Sequence, residues 1–347
     1  MGTPPERRPA ASVSAVIVAY GCEPEQLRGT IASLRAQSVP PRELIVVDNG
    51  GAPPLAAALA GEREVRVIGE GRNVGYPAAV NRAVAAAAGE HVLCINPDAR
   101  AEPGCLAELL AAMSDPQVAL AGAQILLGES ERVNAGANPL HPSGISPAGG
   151  YGAERELGDP RAVAVVSGAC CLIRRSAFAL VGGMREELFL YYEDVDLAWR
   201  LLIAGFQVLF CPRACARHDY EFARHGQRKW LLLERNRLAC VLSNYEARTL
   251  LALAPALAAT ELGLLAVAAL GGWLPAKLGA YRSLLAMRGS LRARRRQLAA
   301  LRRRADRELI GRFALRLDSA LLPPPGPAAL NALWLPYRLL GARARAR

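Results

Sequence analysis

Three carboxylates follow a run of bulky side chains in the segment EELFLYYEDVDLAWR, residues 186–200. Glu193, Asp194 and Asp196 come directly after the aromatic residues, and the leucines behind them recur at helical spacing. This pattern predicts a helix whose first turn carries Glu193 and Asp194 at the floor of a pocket. A partly desolvated carboxylate supported by helix N–H groups can stay ionised and take a proton from a bound hydroxyl. The alternative is an acidic helix start whose carboxylates are solvated.

A second acid follows the apolar run HVLCI, in the triplet Asn96-Pro97-Asp98. An acid just beyond a buried strand is where a divalent cation can sit between protein oxygens and a diphosphate, although a proline-containing turn is the plainer alternative. His218 follows two cysteines at a spacing that suggests zinc, but no fourth ligand follows at a suitable distance. We therefore interpret His218 as a single metal ligand that faces the pocket.

The N-terminal segments that must position these groups have the pattern of a βαβ unit. SVSAVIVAY (12–20) and ELIVVD (43–48) are buried-strand sequences, and residues 24–38 between them have helical spacing. In a parallel sheet a ligand lies beyond the strand carboxyl ends, so Ala19, Tyr20, Asp48 and Asn49 would share one rim. Asp48 could accept from a base N–H or a ribose hydroxyl, or it could be a turn residue before two glycines.

The loop after the third predicted strand contains Gly69, Gly71 and Gly75, one residue off the dinucleotide fingerprint. It motivates a rival hypothesis, an NAD(P)-dependent nucleotide-sugar oxidoreductase. That class predicts a Tyr-x-x-x-Lys pair, and the two lysines, Lys229 and Lys277, have no tyrosine at that spacing before them. A third hypothesis is a catalytically silent nucleotide-binding membrane protein.

Several further segments can be interpreted by composition. Residues 124–161 are rich in Gly, Pro, Ser and Asn, which predicts a surface excursion that is a lid or is disordered. VAVVSGACCLIR (163–174) has strand character, and a ligand could approach the backbone at Gly168. Residues 206–211 and 214–218 predict two short strands, and residues 222–245 predict a basic helix.

The charge of the chain is concentrated at its C-terminal end. Residues 1–245 carry 24 Lys plus Arg against 26 Asp plus Glu, whereas residues 246–347 carry 18 against 5. The net charges are −2 and +13, which sum to +11. An apolar segment followed by nine arginines between Arg288 and Arg307 predicts contact with an anionic membrane surface and makes nucleic acid the weaker interpretation.

The eight cysteines are scattered and several lie in apolar runs, which predicts reduced, buried thiols in a cytosolic compartment. Residues 1–11 contain charges and prolines without an apolar core, so they predict a flexible arm and give no support for export.

The motifs in their order resemble the family 2 glycosyltransferases of the GT-A fold, in particular the bacterial rhamnosyltransferase-like branch. They are VSAVIVAY, LIVVDNG, NVGYPAAVN, INPDA, SGACCLIRRSAF and ELFLYYEDVDLAWRL, followed by His218. The resemblance covers about residues 13–245. It implies an α/β domain over residues 12–245, with a Rossmann-like, mostly parallel central sheet flanked by helices, and it leaves residues 246–347 as a helical, Arg-rich, membrane-associating region.

The resemblance also implies roles for single residues. Nucleotide-sugar contacts fall on Ala19, Tyr20, Asp48 and Asn73. The ED pair supplies the base, which is Asp194, with Glu193 beside it.

The resemblance places Mg²⁺ or Mn²⁺ on Asp98, with His218, 24 residues after Asp194, completing the site. Asn96 stands where the family's metal motif starts with Asp, so we assign Asn96, with Gly168, to donor binding. One base and no second carboxylate placed as nucleophile predict a single displacement with inversion.

The implied reaction moves a sugar from a nucleoside-diphosphate sugar, with dTDP-rhamnose as the candidate, to a polyprenyl-linked or polysaccharide acceptor in cell-envelope glycan synthesis. Such an enzyme meets its donor on the cytoplasmic face of the bacterial inner membrane. The arginines should lie on the same face, so a single crossing by Thr249–Gly272 cannot satisfy both. We expect a re-entrant or interfacial helical pair, with Trp273 and Tyr281 near the headgroups and the arginines on anionic lipid. The alternative is an apolar helix packed on the body.

Overall fold

The computed structural model describes residues 12–51, 55, 59, 61–62, 64–69, 71–218, 226–319, 321 and 326–337. Within these ranges a mixed β-sheet is covered by helices on both faces, and further helices follow toward the C-terminus. The predicted flexible arm, residues 1–11, lies outside the described residues.

The strands alternate with helices in the N-terminal half and cluster in the middle of the chain. They are β1 (Val13–Ala19), β2 (Glu43–Asp48), β3 (Val65–Gly69), β4 (His91–Ile95), β5 (Ala99–Ala101), β6 (Val118–Leu126), β7 (Val133–Ala135), β8 (Ala137–Asn138), β9 (Arg161–Ala162), β10 (Val165–Val166), β11 (Cys170–Arg174) and β12 (Gln207–His218).

The two longest described helices, of 19 and 24 residues, lie in the C-terminal part of the chain. They are α1 (Pro24–Arg35), α2 (Tyr76–Ala86), α3 (Cys105–Ala112), α4 (Arg175–Leu180), α5 (Glu193–Ile203), α6 (Gly226–Asn244), α7 (Ala247–Leu270), α8 (Leu274–Ala286), α9 (Arg288–Leu301), α10 (Asp306–Ile310) and α11 (Gly326–Leu333).

The main sheet has the strand order β3-β2-β1-β4-β11-β6-β12-β5. Its first four strands are parallel, as the βαβ pattern predicts. The second half is mixed, because β11 runs antiparallel to both β4 and β6 whereas β6 and β12 are parallel. The carboxyl ends of β1, β2 and β4 therefore meet at one edge, where the polar segments after these strands lie together.

The two short strands expected over 206–211 and 214–218 form one strand, β12. Its pairing with β6 shifts register between Cys211 and Cys215. Pro212 lies in this irregular stretch, where a residue without a backbone N–H can be accommodated within a strand. The expected helix over 222–245 begins, in the described part of the chain, at Gly226.

Residues 124–161 are partly buried and hydrogen-bonded to the body, so the expectation of disorder is wrong, whereas the lid alternative stays a prediction. Gln124 is fully buried and donates to the carbonyl oxygens of Glu156 (2.9 Å) and Pro212 (2.8 Å). The Asn138 side chain accepts from the Gly149 N–H at 2.8 Å. The polar side chains of this segment form hydrogen bonds with its own backbone groups. Composition alone suggests solvent exposure for such residues, and it gives no sign of these bonds.

The C-terminal helices share the core of the body. Trp199 of α5 is fully buried and packs edge-on against Tyr245 (4.8 Å between ring centroids) and Phe313 (5.2 Å). Leu298 of α9 and Trp334 are buried in the same hydrophobic cluster. The tail therefore completes the hydrophobic core on the α5 face of the sheet.

A buried ion network joins α6, α7 and α8. Glu234 of α6 pairs with Arg237 (2.7 Å) and with Lys277 of α8, while Glu261 of α7 pairs with both cations and accepts from the Tyr281 hydroxyl. Burial opposes ionisation of Glu234, but Arg237 and Lys277 outweigh it and lower its pKa to about 2. Two acids and two bases neutralise one another, so the charges that interrupt the apolar sequence bind the three helices together.

This network corrects part of the predicted membrane arrangement. Trp273 is buried and stacks on Trp230 with ring centroids 4.6 Å apart, and Tyr281 is hydrogen-bonded to Glu261, so neither matches the headgroup position expected from the sequence. In sequence, aromatic residues beside an apolar segment resemble the aromatic belt of a membrane interface. In this structure Trp273 and Tyr281 contact other side chains of the protein.

Three of the nine arginines expected on lipid bond the protein instead. Arg295 donates to the carbonyl oxygens of Leu242 and Tyr245. Arg302 and Arg304 likewise donate to carbonyls at the ends of α6 and α5. These guanidinium groups satisfy the backbone acceptors that helix ends leave unpaired.

We predict that Lys277→Met lowers the free energy of unfolding by about 3–5 kcal/mol, because it leaves two buried carboxylates with one cation. Denaturant unfolding followed by circular dichroism measures the change. Arg213→Met removes a cation from an exposed pair with Asp159 and should cost less than about 1 kcal/mol. Equal losses in the two variants would contradict a role for the network in holding the tail.

Candidate active site

The segment that leads into α5 has a strained backbone. Phe189, Tyr191 and Tyr192 have φ angles of 65°, 66° and 68°. Bulky L-residues rarely adopt this region, and such strain persists only where the surrounding structure holds it in place. Tyr192 precedes Glu193 directly, so the strained backbone sets the position of the carboxylate pair.

Asn236 of α6 holds this segment. Its side-chain amide nitrogen lies 3.0, 2.9 and 2.7 Å from the carbonyl oxygens of Leu188, Leu190 and Tyr191. Its amide oxygen accepts from Arg235 at 2.8 Å, and the residue is fully buried. Asn236 therefore fixes the backbone ahead of α5, a role that no local sequence pattern signals.

Asp194 points into a cavity and is supported by backbone donors. Its carboxylate accepts from the N–H of Val195 at 2.8 Å and from the N–H of Gly168 at 3.2 Å. Burial raises the pKa of Asp194, and these two N–H groups oppose the rise by stabilising the charged form. A Cβ at Gly168 would lie 3.4 Å from the Asp194 Cβ, which is ordinary van der Waals contact, so this hydrogen bond does not itself require glycine.

Glu193 has a different environment from its neighbour. Burial, and then the charge of Asp194, raise its pKa well above the usual range of a carboxylic acid. One of its oxygens, Oε2, is buried without a hydrogen-bond partner. Of two adjacent carboxyl groups in a desolvated site, the one with N–H donors ionises first, which favours the charge on Asp194 and the proton on Glu193.

Asp196 shows that the alternative of solvated acids does not hold here. Its side chain is fully buried, 2.7 Å from Arg200 Nε and 3.9 Å from Arg185 Nη1. Burial opposes its ionisation, but Arg200 and Arg185 together lower its pKa. Asp196 therefore anchors α5 and does not line the cavity.

A second group of polar residues meets across the same cavity. His218 Nε2 lies 3.0 Å from Asp98 Oδ1 and 3.3 Å from the side-chain nitrogen assigned to Asn96. The strand register explains the meeting, because His218 pairs with Ala99, the residue after Asp98. The Asn134 side chain donates to the His218 carbonyl at 3.1 Å and helps to hold it.

Asp98 and His218 are the side chains that could hold a divalent cation. A carboxylate oxygen and an imidazole nitrogen are suitable ligands for Mn²⁺ or Mg²⁺, and turning the Asn96 amide would add a neutral oxygen. Across the described residues, no group of three or more His, Cys, Asp or Glu side chains is arranged to hold a metal ion. The donor set therefore fits a cation whose other ligands come from a bound diphosphate and water.

The cavity unites six of the residues predicted from the sequence. Its volume is about 360 Å³. The predicted residues that line it are Asn96, Asp98, Gly168, Glu193, Asp194 and His218. Tyr76, Asn134, Asn138 and Tyr191 also line it and were not predicted.

The four residues expected at the nucleotide lie at the neighbouring part of the sheet edge and do not line this cavity. Ala19 is buried at the end of β1 and Tyr20 is exposed. Asp48 accepts from the Gly50 N–H at 3.0 Å, and Asn73 accepts from the Gly75 N–H at 2.9 Å. Asp48 and Asn73 thus shape the loops of this rim, and their contacts with a ligand stay predictions.

The cysteines are free in the structure, and seven of the eight are buried, in agreement with the sequence-based expectation of reduced thiols. Cys215 lies within hydrogen-bonding distance of Gln124 and the Pro212 carbonyl, which leaves the zinc interpretation without structural support.

We predict that Glu193→Gln raises the melting temperature relative to the native chain by a few degrees at pH 9 and by less at pH 5. A carboxyl whose pKa is higher in the folded chain stabilises the fold while protonated, and this contribution is lost as pH rises through the raised pKa. Differential scanning fluorimetry at both pH values measures the shift. Asp196→Asn is the matched opposite. The pKa of Asp196 is lowered in the folded chain, so its ionised form stabilises the fold at pH values above the ordinary carboxyl pKa. The Asp196→Asn variant should therefore be less stable than the native chain at neutral pH. A pH-independent effect of Glu193→Gln would contradict the assignment of the proton.

We also predict that Asn236→Leu lowers the free energy of unfolding by about 2–4 kcal/mol, because carbonyls of the strained segment lose their buried donor. Gln227→Leu is the control on the same helix, since it removes one exposed amide hydrogen bond to Gly272. Denaturant unfolding of both variants gives the comparison, and a similar small loss in each would show that the segment is held by other contacts.

Comparison with known proteins connects this geometry to a family. The model of the family described as Glycosyl transferase family 2 matches residues 14–182. An N-acetylglucosaminyl-diphospho-decaprenol L-rhamnosyltransferase of Mycobacterium tuberculosis is 34% identical, over 58% of this chain and 74% of the relative. A pre-mycofactocin glycosyltransferase of the same organism is 32% identical, over 59% of this chain and 42% of the relative.

Solved structures share the fold at low sequence identity. A mannosyltransferase from Pyrobaculum calidifontis in complex with GDP-mannose and Mn²⁺ has a TM-score of 0.51 and 19% identity, with 86% of each chain covered. GalNAc-T7 with UDP, GalNAc and Mn²⁺ has a TM-score of 0.57 and 16% identity, covering 69% of this chain and 49% of that one. The fold is therefore that of the GT-A enzymes, and no oxidoreductase assignment is needed for the glycine loop. The chain belongs to glycosyltransferase family 2, in its rhamnosyltransferase-like branch.

Proposed function

We propose that this glycosyltransferase moves a sugar, with rhamnose as the candidate, from a nucleoside diphosphate to a polyprenyl-linked acceptor, with inversion and with a divalent metal. The observation that carries the proposal is that Asp194 and the pair Asp98–His218 line one cavity. Glycosyl transfer needs a base at the acceptor hydroxyl and positive charge at the leaving diphosphate, and the cavity offers a residue set for each.

Asp194 acts as the base in this mechanism. It takes the proton of the acceptor hydroxyl while the acceptor oxygen forms a bond to the anomeric carbon and the bond from that carbon to the diphosphate breaks. Glu193 keeps its proton, so that Asp194 can stay ionised. Among the described residues that line the cavity, the remaining acid is Asp98, beside His218, so none of these carboxylates is left to form a covalent intermediate. One base with no nucleophile supports a single displacement with inversion.

Asp98 and His218, with Asn96, would hold Mg²⁺ or Mn²⁺. The bound cation would supply positive charge to the diphosphate as it leaves. The neighbouring rim of Ala19, Tyr20, Asp48 and Asn73 would contact the nucleoside, and Gly168 allows the donor to approach the base closely. Solved GT-A neighbours with Mn²⁺ and a nucleotide or nucleotide sugar support this assignment.

We predict that Asp194→Asn lowers kcat for sugar transfer by about 10²–10⁴-fold while leaving Mn²⁺-dependent nucleotide binding intact. Asp98→Ala should instead remove the Mn²⁺ dependence of that binding. Thermal shift with nucleoside diphosphates, with and without Mn²⁺, reports binding, and release of the diphosphate reports turnover. Near-native turnover in Asp194→Asn would reject the base, and the absence of any turnover in the native chain would favour the silent nucleotide-binding alternative.

The tail supports the proposed location at the membrane. Helix α7 has a mean hydropathy of 2.0 over its most apolar window, with 17% of that window buried, and among the described helices it alone is long and apolar enough to cross a membrane. One face of α7, including Leu253, Ala256 and Thr260, packs on the protein, and Glu261 is tied to α6 and α8. A helix fixed to the body along one side supports an interfacial position better than a crossing.

Exposed side chains of the tail are suited to the membrane surface. Leu251, Leu262 and Leu270 are exposed on α7, and Leu278 and Leu285 on α8. Five of the nine clustered arginines are exposed as well: Arg288, Arg292, Arg296, Arg303 and Arg307. Apolar insertion together with attraction to anionic lipid supports attachment to the cytoplasmic face of the bacterial inner membrane, where nucleotide sugars and lipid-linked acceptors meet.

We predict that 1 M salt leaves the native chain on membranes, whereas the triple variant Leu251→Glu, Leu262→Glu, Leu270→Glu is released by the same wash. Leu157→Glu with Leu180→Glu, two exposed leucines of the body, is the control and should stay bound. Immunoblotting of washed membranes gives the fractions. Release of the native chain by salt alone would mean purely electrostatic attachment, and periplasmic labelling of cysteines placed between Ala259 and Leu265 would mean a crossing.

A further inference from the structure

A second cavity of about 710 Å³ adjoins the active site. Asn134, Ala148 and Tyr191 line both cavities, so the two meet at these residues. The volume is within the range of roughly 300–1,000 Å³ that is usual for small-molecule sites. A substrate that reaches Asp194 through one cavity can therefore extend into the other.

The walls of the second cavity are mostly apolar and come from body and tail together. Trp230 and Leu233 of α6, Leu264 and Val267 of α7, and Trp273 form much of the lining. Trp230 and Trp273 stack on each other, which makes a rigid aromatic wall. Such a lining suits a hydrocarbon chain and does not suit a sugar polymer, which needs hydrogen-bonding partners along its length.

Lys229 is a buried cation that lines the second cavity near the active site. Lys229 is 3% exposed, and its Nζ lies 5.6 Å from the centre of the Tyr191 ring, which faces both cavities. Arg237 also lines the second cavity and is paired with Glu234 and Glu261. A buried ammonium group beside the active site provides charge complementarity for an anionic group between the sugar and the lipid of an acceptor.

The far end of the cavity leads to the membrane-facing part of α7. Leu270 lines the cavity and is 91% exposed. A hydrocarbon chain that lies along the cavity would emerge from it beside the other exposed leucines of α7. The ion network fixes this wall, because Glu261 of α7 is paired with Arg237 and Lys277 on the two neighbouring helices.

We propose that this second cavity is an acceptor-lipid groove, which binds the first isoprene units of a polyprenyl-diphosphate-linked sugar with the diphosphate beside Lys229. The proposal rests on the proposed function for the direction in which the acceptor enters. It assigns Lys229, Leu264 and Trp230 to acceptor binding, so that the sugar hydroxyl is delivered to Asp194.

Calorimetric titration of the full chain with farnesyl diphosphate, geranyl diphosphate and inorganic diphosphate tests the groove. EDTA is present, so that a divalent cation at Asp98 does not contribute. Farnesyl diphosphate should bind at least about tenfold more tightly than geranyl diphosphate, because one more isoprene unit is buried, and inorganic diphosphate should bind weakest. Equal affinity for farnesyl diphosphate and inorganic diphosphate would overturn the proposal.

Matched variants separate the groove from general surface effects. Leu264→Trp fills the groove and should weaken farnesyl diphosphate about tenfold or more, whereas Leu262→Trp, at an exposed site on the same helix, should not. Lys229→Met should weaken diphosphates but not farnesol, and the exposed neighbour Arg228→Met should change neither. Unchanged binding in both groove variants would reject the assignment.

Mn²⁺-dependent hydrolysis of a nucleotide sugar reports the proposed function separately. A chain that hydrolyses the donor but shows no preference for farnesyl diphosphate keeps the proposed function and loses the groove. A chain that binds farnesyl diphosphate in the predicted order but never turns over a donor keeps the groove and loses the proposed function.

Discussion

The hydrogen bonds from Asn236 to the segment before α5 are the constraint on which the site depends. Three residues of that segment occupy backbone conformations that side chains disfavour, and a fully buried amide lies within bonding distance of three of its carbonyls. The strain brings the start of α5 close to Gly168 on the neighbouring sheet connection. Without that hold, Glu193 and Asp194 would relax away from the cavity, because nothing local in the sequence prefers the observed backbone.

The three closely spaced acids Glu193, Asp194 and Asp196 have different electrostatic environments. Asp196 is compensated by Arg200 and Arg185 and is structural. Two N–H groups favour the ionised form of Asp194, while Glu193 has no such donors at Oε2 and its burial favours the protonated form. Acidic side chains thus serve as the anchor, the proposed base and its protonated neighbour, and the difference comes from the surroundings of each side chain.

The features that could be predicted from the sequence are those that local patterns encode. Buried strands, the acidic start of α5 and the acid after β4 follow from periodicity and strand ends, and the position of His218 beside Asp98 follows once the strands are paired. Asn236 and Asn134 were missed because each bonds a backbone group far along the chain, which leaves no periodic signal. Glu261 and Lys277 were misinterpreted, because in sequence they only interrupt an apolar segment. In the structure they pair with each other, and Lys277 also pairs with Glu234 of α6.

The shared core of body and tail has a consequence for how this enzyme can change over evolution. Phe313 and Trp334 lie in the same buried cluster as Trp199, which is in the helix that carries Glu193 and Asp194. A membrane anchor joined by a linker can be exchanged by recombination without disturbing the domain it carries. Here an exchange would remove part of the interior that supports α5, so tail and active site must be inherited together and must vary by compensating substitutions.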